Sequence, residues 1–255
     1  MPVAISEFLM KLALLFALLT LLTVSSFAAD GQSVSYKSGD ETVNAILYTP
    51  QGKGPFPALV VIHEWWGLND WVKEQASRLA DQGYVALAID LYRGKVATTG
   101  EQAHEIMRGV PSDRANRDLL AASAYLRSLK NVNPAKVGDI GWCMGGGYAL
   151  DLAIADPKLK AAVINYGHLA SDKATLQKIN AAILGIFGGK DGGIPVEDVK
   201  KFEADLKALG KTAEIKIFPD AGHGFENPNN QQGYRAEDAK QAWELTTSFL
   251  AKYLK

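Results

Sequence analysis

Only one cysteine, Cys143, occurs in the 255 residues, so the chain cannot close an internal disulfide. Surplus charge is also missing: 27 Lys and Arg stand against 28 Asp and Glu, a net charge of -1. With no basic stripe or patch, nucleic acid drops out of the expected partners, and pairs such as Lys200-Lys201 read as solvated helix faces. Histidine is scarce. His63, His104 and His168 have no partners at metal-ligand spacing, and a zinc set of His63, Glu64 and His168 exists in residue type alone. Neither a metal nor a cofactor is expected. No repeat or linker interrupts the chain, and 47% hydrophobic composition over this length suits one sizeable core.

What is present begins with an apolar run over residues 12–24, followed by Ser25-Ser26-Phe27-Ala28-Ala29. Small residues at that point fit a secretory signal peptide and its cleavage rule. Residues 1–28 are therefore expected to be removed, leaving one domain over residues 29–255 that is exported to the periplasm or beyond. Met10-Lys11 would open a conventional positive leader, whereas Glu7 would not, so Met10 competes with Met1 as the start. A retained membrane anchor is the rival reading, against which stands a run shorter than the ~20 residues of a spanning helix. In an oxidising compartment a leftover thiol invites mispairing and over-oxidation, which argues that Cys143 is there to be used.

Beyond the leader, alternating runs at residues 33–37 and 42–49 flank Ser38-Gly39-Asp40-Glu41 and predict an antiparallel hairpin. Continuous apolar strands are expected at 57–63, 84–90, 136–142, 161–166, 181–188 and 213–218. Helix-period segments fall at 69–82, 101–108, 112–129, 145–155, 195–209 and 234–253. In the last of these, Ala239, Ala242, Trp243, Thr246, Phe249, Leu250 and Tyr253 form one stripe. Unbroken apolar strands alternating with helices imply a single doubly wound, mostly parallel sheet covered on both faces, an α/β fold. The Asn/Gln-rich loop at 226–233 is expected to be mobile and to edge a pocket.

In such sheets the ligand crevice lies past the carboxyl ends of the strands, and reading those ends in order gives a pattern. His63-Glu64 follows one strand and Cys143 another. Asp191 follows Gly188-Gly189-Lys190, and His223 sits between Gly222 and Gly224. Gly141-Trp142-Cys143-Met144-Gly145 has the G-x-S-x-G spacing of a nucleophile elbow, with sulfur replacing the hydroxyl and Gly145, Gly146 and Gly147 giving room. Nucleophile, acid, histidine is the chain order of the α/β-hydrolase triad. His223 would take the thiol proton and Asp191 would orient the imidazole, with Asp220 a rival acid. The N–H groups of Met144 and Trp65 are the expected oxyanion donors. Against this stand a Cys143 that is merely a small buried hydrophobe and an Asp191 that only closes an Asx-turn. Trp65, Trp66 and Trp142 could be pocket wall or core.

The chain from about Ser33 onward resembles the dienelactone hydrolase family. The resemblance rests on His63-Glu64-Trp65-Trp66-Gly67-Leu68-Asn69, Asp90-Leu91-Tyr92-Arg93-Gly94, the Cys143 elbow, Gly188-Gly189-Lys190-Asp191 and Ala221-Gly222-His223-Gly224-Phe225. It implies an α/β-hydrolase fold, the Cys143, His223, Asp191 triad, and a Glu64 that contacts the resting thiol and helps deprotonate it when substrate binds. It also implies that Arg93 holds a substrate carboxylate. A second arginine of the pattern is replaced here by Asn227, which leaves the substrate open. Trp66, Tyr166 and Asn227 are further expected around the substrate.

The expected activity is hydrolysis of a small ester or lactone through an acyl-enzyme on Cys143, by a monomer with no stable membrane attachment. A non-catalytic periplasmic protein binding a small carboxylate through Arg93 is the alternative. A redox role for Cys143 lacks a resolving partner in the chain.

Overall fold

A computed structural model describes residues 31–170 and 172–255. The expected leader and its cleavage site lie outside the described residues. Among the described residues no helix is long and apolar enough to cross a membrane.

The chain enters through the hairpin β1 (Gln32–Ser38) and β2 (Glu41–Tyr48), whose exposed and buried residues alternate as an edge requires. Strands β3 (Phe56–Ile62), β4 (Val85–Ile89), β5 (Val132–Trp142), β6 (Ala161–Asn165), β7 (Ala182–Gly188) and β8 (Ala213–Phe218) complete one sheet in the order β1-β2-β4-β3-β5-β6-β7-β8. The β1/β2 and β2/β4 pairings are antiparallel and the rest parallel. Strands β4, β6 and β7 are buried throughout, which is why they carry unbroken apolar sequence. At the far edge β8 turns Glu214 and Lys216 outward, charges that blunt an otherwise open strand.

Helices connect the strands: α1 (Asp70–Asp81), α2 (Gly100–Arg108), α3 (Ser112–Ser128), α4 (Met144–Ala155), α5 (Lys173–Leu176), α6 (Val196–Ala208) and α7 (Ala236–Leu254). The starts of α1 and α2 are fixed by side chains, Asn69 accepting from the Val72 N–H and Thr99 from that of Gln102. Helix α6 opens after Pro195 and is followed by Gly210 at φ +67°. Along α7 the expected stripe is buried at Ala242, Thr246, Phe249 and Leu250, while Trp243 lies beneath the Arg78 guanidinium at 3.8 Å.

Two elements differ from expectation. Helix α5 is a single turn capped by Asp172, too short for a periodic pattern to reveal it. Strand β5 begins four residues early, at Val132, across Pro134. Its pairing with β3 shifts register between Phe56 and Ala58, an irregularity that accommodates a residue with no N–H to donate.

Strand order sets the site. From β3 the chain moves to β4 on one side, then returns to β5 on the other, so the winding reverses between β3 and β5. A crevice opens at the carboxyl ends of two strands whose connections leave in opposite directions. Glu64 follows one and Cys143 the other.

Candidate active site

Cys143 occupies the bend between β5 and α4 with φ +56° and ψ −119°, a conformation an L-residue enters only under constraint. Asn165 at the end of β6 supplies that constraint. Its carbonyl accepts the Cys143 N–H at 3.0 Å and its side-chain amide donates to the Gly141 carbonyl at 3.0 Å. The flanking glycines are required by space: a Cβ on Gly141 would sit 2.0 Å from the Gly145 carbonyl oxygen, and one on Gly145 2.4 Å from that of Ile62. Gly147 is different, since its nearest neighbours lie at 3.4 Å, so the third glycine of the run is not needed for the turn. The thiol is partly exposed and opens onto a cleft.

His223 lies beside it on the loop after β8. Its Nδ1 is 2.7 Å from Asp191 Oδ2, which leaves the other ring nitrogen free to hydrogen-bond the Cys143 sulfur. Burial alone would lower the imidazole pKa, but the bonds to Asp191 and Cys143 outweigh it and lift the value to about 10. Burial would likewise raise Asp191. His223 and the N–H groups of Gly193 and Ile194, which bond Oδ1 at 2.8 and 3.2 Å, instead hold its carboxylate below the ordinary range. Asp191 therefore closes its own turn and grips the histidine at once. The rival acid, Asp220, faces solvent and pairs with Lys190 at 2.7 Å.

Glu64 is 4% exposed, and burial pushes its pKa up to about 7 against the lowering influence of Asn227 and His223. Its partner is the Asn227 side-chain amide, 2.7 Å from Oε2, and no hydrogen bond joins it to Cys143. The resting contact with the thiol implied by the resemblance is thus replaced by one to Asn227. Next to Glu64, the His63 ring is fully buried and both its nitrogens are engaged, Nδ1 with the Glu64 carbonyl and Nε2 with the Leu91 N–H. His63 anchors this loop to the end of β4. Among the described residues no three His, Cys, Asp or Glu side chains are grouped to hold a metal.

Trp65 and Met144 meet at Tyr92, whose hydroxyl lies 3.1 Å from the Trp65 carbonyl and 3.1 Å from Met144 Sδ. At the first position of α4, the Met144 N–H has no intrahelical acceptor, as expected of an oxyanion donor.

The cleft has a volume of about 1540 Å³. Glu64, Trp65, Trp66, Cys143, Met144, Asp191, His223 and Asn227 all line it, as do Asn229, Asn230, Gln231 and Gln232 from the loop expected at its edge. That loop is fastened by the Asn230 amide, which donates to the carbonyls of His223 and Gly224.

Two expected contacts are corrected. Arg93 does not line the cleft, because its Nη2 lies 2.6 Å from Glu41 and 2.7 Å from Asp118 on the hairpin side. Tyr166 does not line it either. The ring is wholly buried behind His223, edge-on at 5.2 Å, and its hydroxyl finds no partner among the described residues. Conversely, Glu226 stands at the site with no motif in the sequence to mark it. Its Oε2 accepts from the Trp142 indole at 3.2 Å; burial lifts its pKa to about 8, Trp142 opposes this, and the nearby Glu64 charge adds to it. Asp151 also stands in the cleft wall, as does His168, which the sequence offered only as part of a zinc set. Both follow from the strand-end rule extended by a few residues, His168 beyond β6 and Asp151 two helical turns beyond Cys143.

Residues 43–254 match the model of the dienelactone hydrolase family. A protein of Methylorubrum extorquens, provisionally named a carboxymethylenebutenolidase, is 34% identical over 228 residues, 84% of this chain and 78% of the relative. Among solved structures, a provisionally assigned dienelactone hydrolase from Klebsiella pneumoniae superposes with a TM-score of 0.80 at 28% identity, covering 89% of this chain and all of that one. A dienelactone hydrolase-like promiscuous phosphotriesterase from metagenomic libraries gives 0.82 at 26% identity, with the same coverage.

Proposed function

This chain belongs to the dienelactone hydrolase family, and from that membership we propose that it is a cysteine-nucleophile hydrolase of carboxylic esters or lactones. One arrangement carries the reading. Cys143 sits on a constrained bend at a helix start, beside an imidazole that Asp191 grips at 2.7 Å.

In the first half-reaction the sulfur attacks the acyl carbon while its proton already rests on the His223 nitrogen that faces it, the imidazolium that Asp191 and the sulfur favour. The N–H groups of Met144 and Trp65 receive the oxyanion, held in register by the Tyr92 hydroxyl between their segments. His223 then protonates the departing alkoxide, leaving a thioester on Cys143. In the second half, His223 takes a proton from water, the resulting hydroxide attacks the thioester, and the acid leaves as the sulfur departs beside the imidazolium, restoring the starting site. Asp191 keeps the imidazole in one tautomer throughout and stabilises its charged form. Glu64, buried and held by Asn227, supplies a nearby carboxylate able to take up or release a proton as substrate enters.

Mixing the protein with an activated aryl ester and reading intact mass is expected to show one acyl group added. Cys143→Ala should lose the adduct and about 10³-fold or more in kcat/KM; undiminished turnover in that variant would remove the reading. Export by the N-terminal apolar run belongs to the same proposal, and cell fractionation that recovers the chain from the cytoplasm would strike it out.

A further inference from the structure

Resting on the hydrolase reading above, we infer that this cleft takes uncharged esters or lactones and discriminates against substrates that carry a carboxylate. The described residues lining it include three carboxylates, Glu64, Asp151 and Asp191, and no lysine or arginine. Arg93 is neutralised by Glu41 and Asp118 away from the cleft, and position 227 is an asparagine whose amide is committed to Glu64.

The histidines do not make up the deficit. His223 is matched by Asp191 at 2.7 Å, His168 lies close enough to Asp151 to oppose the rise in its pKa caused by burial, and His104 packs edge-on to Trp65. With Asp191 spent on His223, an entering carboxylate would meet Glu64 and Asp151 in a partly desolvated space and no unpaired group of opposite sign to bind it. A neutral substrate meets a different surface. Trp65 and Trp66 pack edge to face at 5.0 Å and line the cleft together with Met107 and Tyr148, while the rim offers the uncharged amides of Asn229, Asn230, Gln231 and Gln232. The volume of about 1540 Å³ exceeds the roughly 300–1,000 Å³ of common small-molecule pockets. Charge, rather than room, is what this cleft excludes.

A matched pair of substrates tests this: para-nitrophenyl hexanoate and the para-nitrophenyl monoester of adipic acid, alike in length and leaving group and different by one carboxylate. The hexanoate is expected to exceed the adipate in kcat/KM by roughly tenfold or more, with the gap narrowing in added salt. Gln232→Lys, which sets a cation on the exposed rim, is expected to raise the adipate-to-hexanoate ratio of kcat/KM several-fold. Equal or faster turnover of the adipate, or a ratio insensitive to both salt and Gln232→Lys, would overturn the inference. Should neither ester turn over, the hydrolase reading falls by itself. Binding of the two esters to Cys143→Ala, followed through tryptophan fluorescence, then decides the charge preference: tighter hexanoate supports it and tighter adipate refutes it.

Discussion

Glu64 carries the clearest cost at the level of single side chains. Its carboxyl ionises near 4.5 in an open chain and near 7 in the fold, because burial opposes the charged form more strongly than Asn227 and His223 favour it. The folded state therefore binds the proton more tightly. Stability from this group is complete below pH 4.5 and is lost as pH rises through about 7, a loss on the order of 3 kcal/mol. Glu64→Gln keeps an acceptor for the Asn227 amide and removes the titration. Urea unfolding is expected to show the variant gaining on the parent between those two pH values and holding the gain above them; a gap that does not change with pH would contradict a buried, titrating Glu64. His223 acts in the next window up, its contribution complete below 6.5 and lost as pH passes about 10.

The β5-to-α4 bend is the element on which the site turns, and its glycines differ in what they tolerate. Gly145→Ala would drive a methyl to 2.4 Å from the Ile62 carbonyl and 2.5 Å from that of His63, backbone that also positions Glu64. A stability loss of about 3 kcal/mol is expected in chemical denaturation, with activity falling alongside. Gly147→Ala, with 3.4 Å to its nearest neighbours in a helix that would welcome alanine, should be neutral or slightly stabilising. If the two variants unfold alike, the steric account of the bend is wrong. This bend was legible in the sequence, because glycine spacing around Cys143 announces a strained turn. Arg93 and Tyr166 were not. Each also follows a strand and has positive φ, +56° and +37°, which swings the side chain off the alternating course that strand periodicity predicts. Arg93 thereby reaches the hairpin and Tyr166 the core.

Across the whole molecule, Arg93 is a structural tie instead of a substrate clamp. It joins Glu41 at the start of β2 to Asp118 of α3, a carboxylate with no exposed side-chain surface. Arg93→Ala would leave that charge buried and unpaired, and a loss of about 3 kcal/mol in unfolding free energy with little change in KM is expected. A large rise in KM without loss of stability would return Arg93 to the substrate. The doubly wound, mostly parallel sheet needed only apolar runs and their order to be foreseen; its strand order and reversal point, which the runs do not encode, bring Glu64, Cys143, Asp191 and His223 to one crevice. Partners of the buried carboxylates depended on loop paths that no periodicity encodes. Asn227 on Glu64 and Trp142 on Glu226 are contacts across 163 and 84 residues of chain.

The solitary sulfur has a practical corollary. Since Cys143 is partly exposed and the chain has no second thiol to compete for reagent, a maleimide dye or an aromatic disulfide can label each molecule at one known atom. The chromophore so attached or released counts competent centres in any preparation, and it does so before a natural substrate has been found.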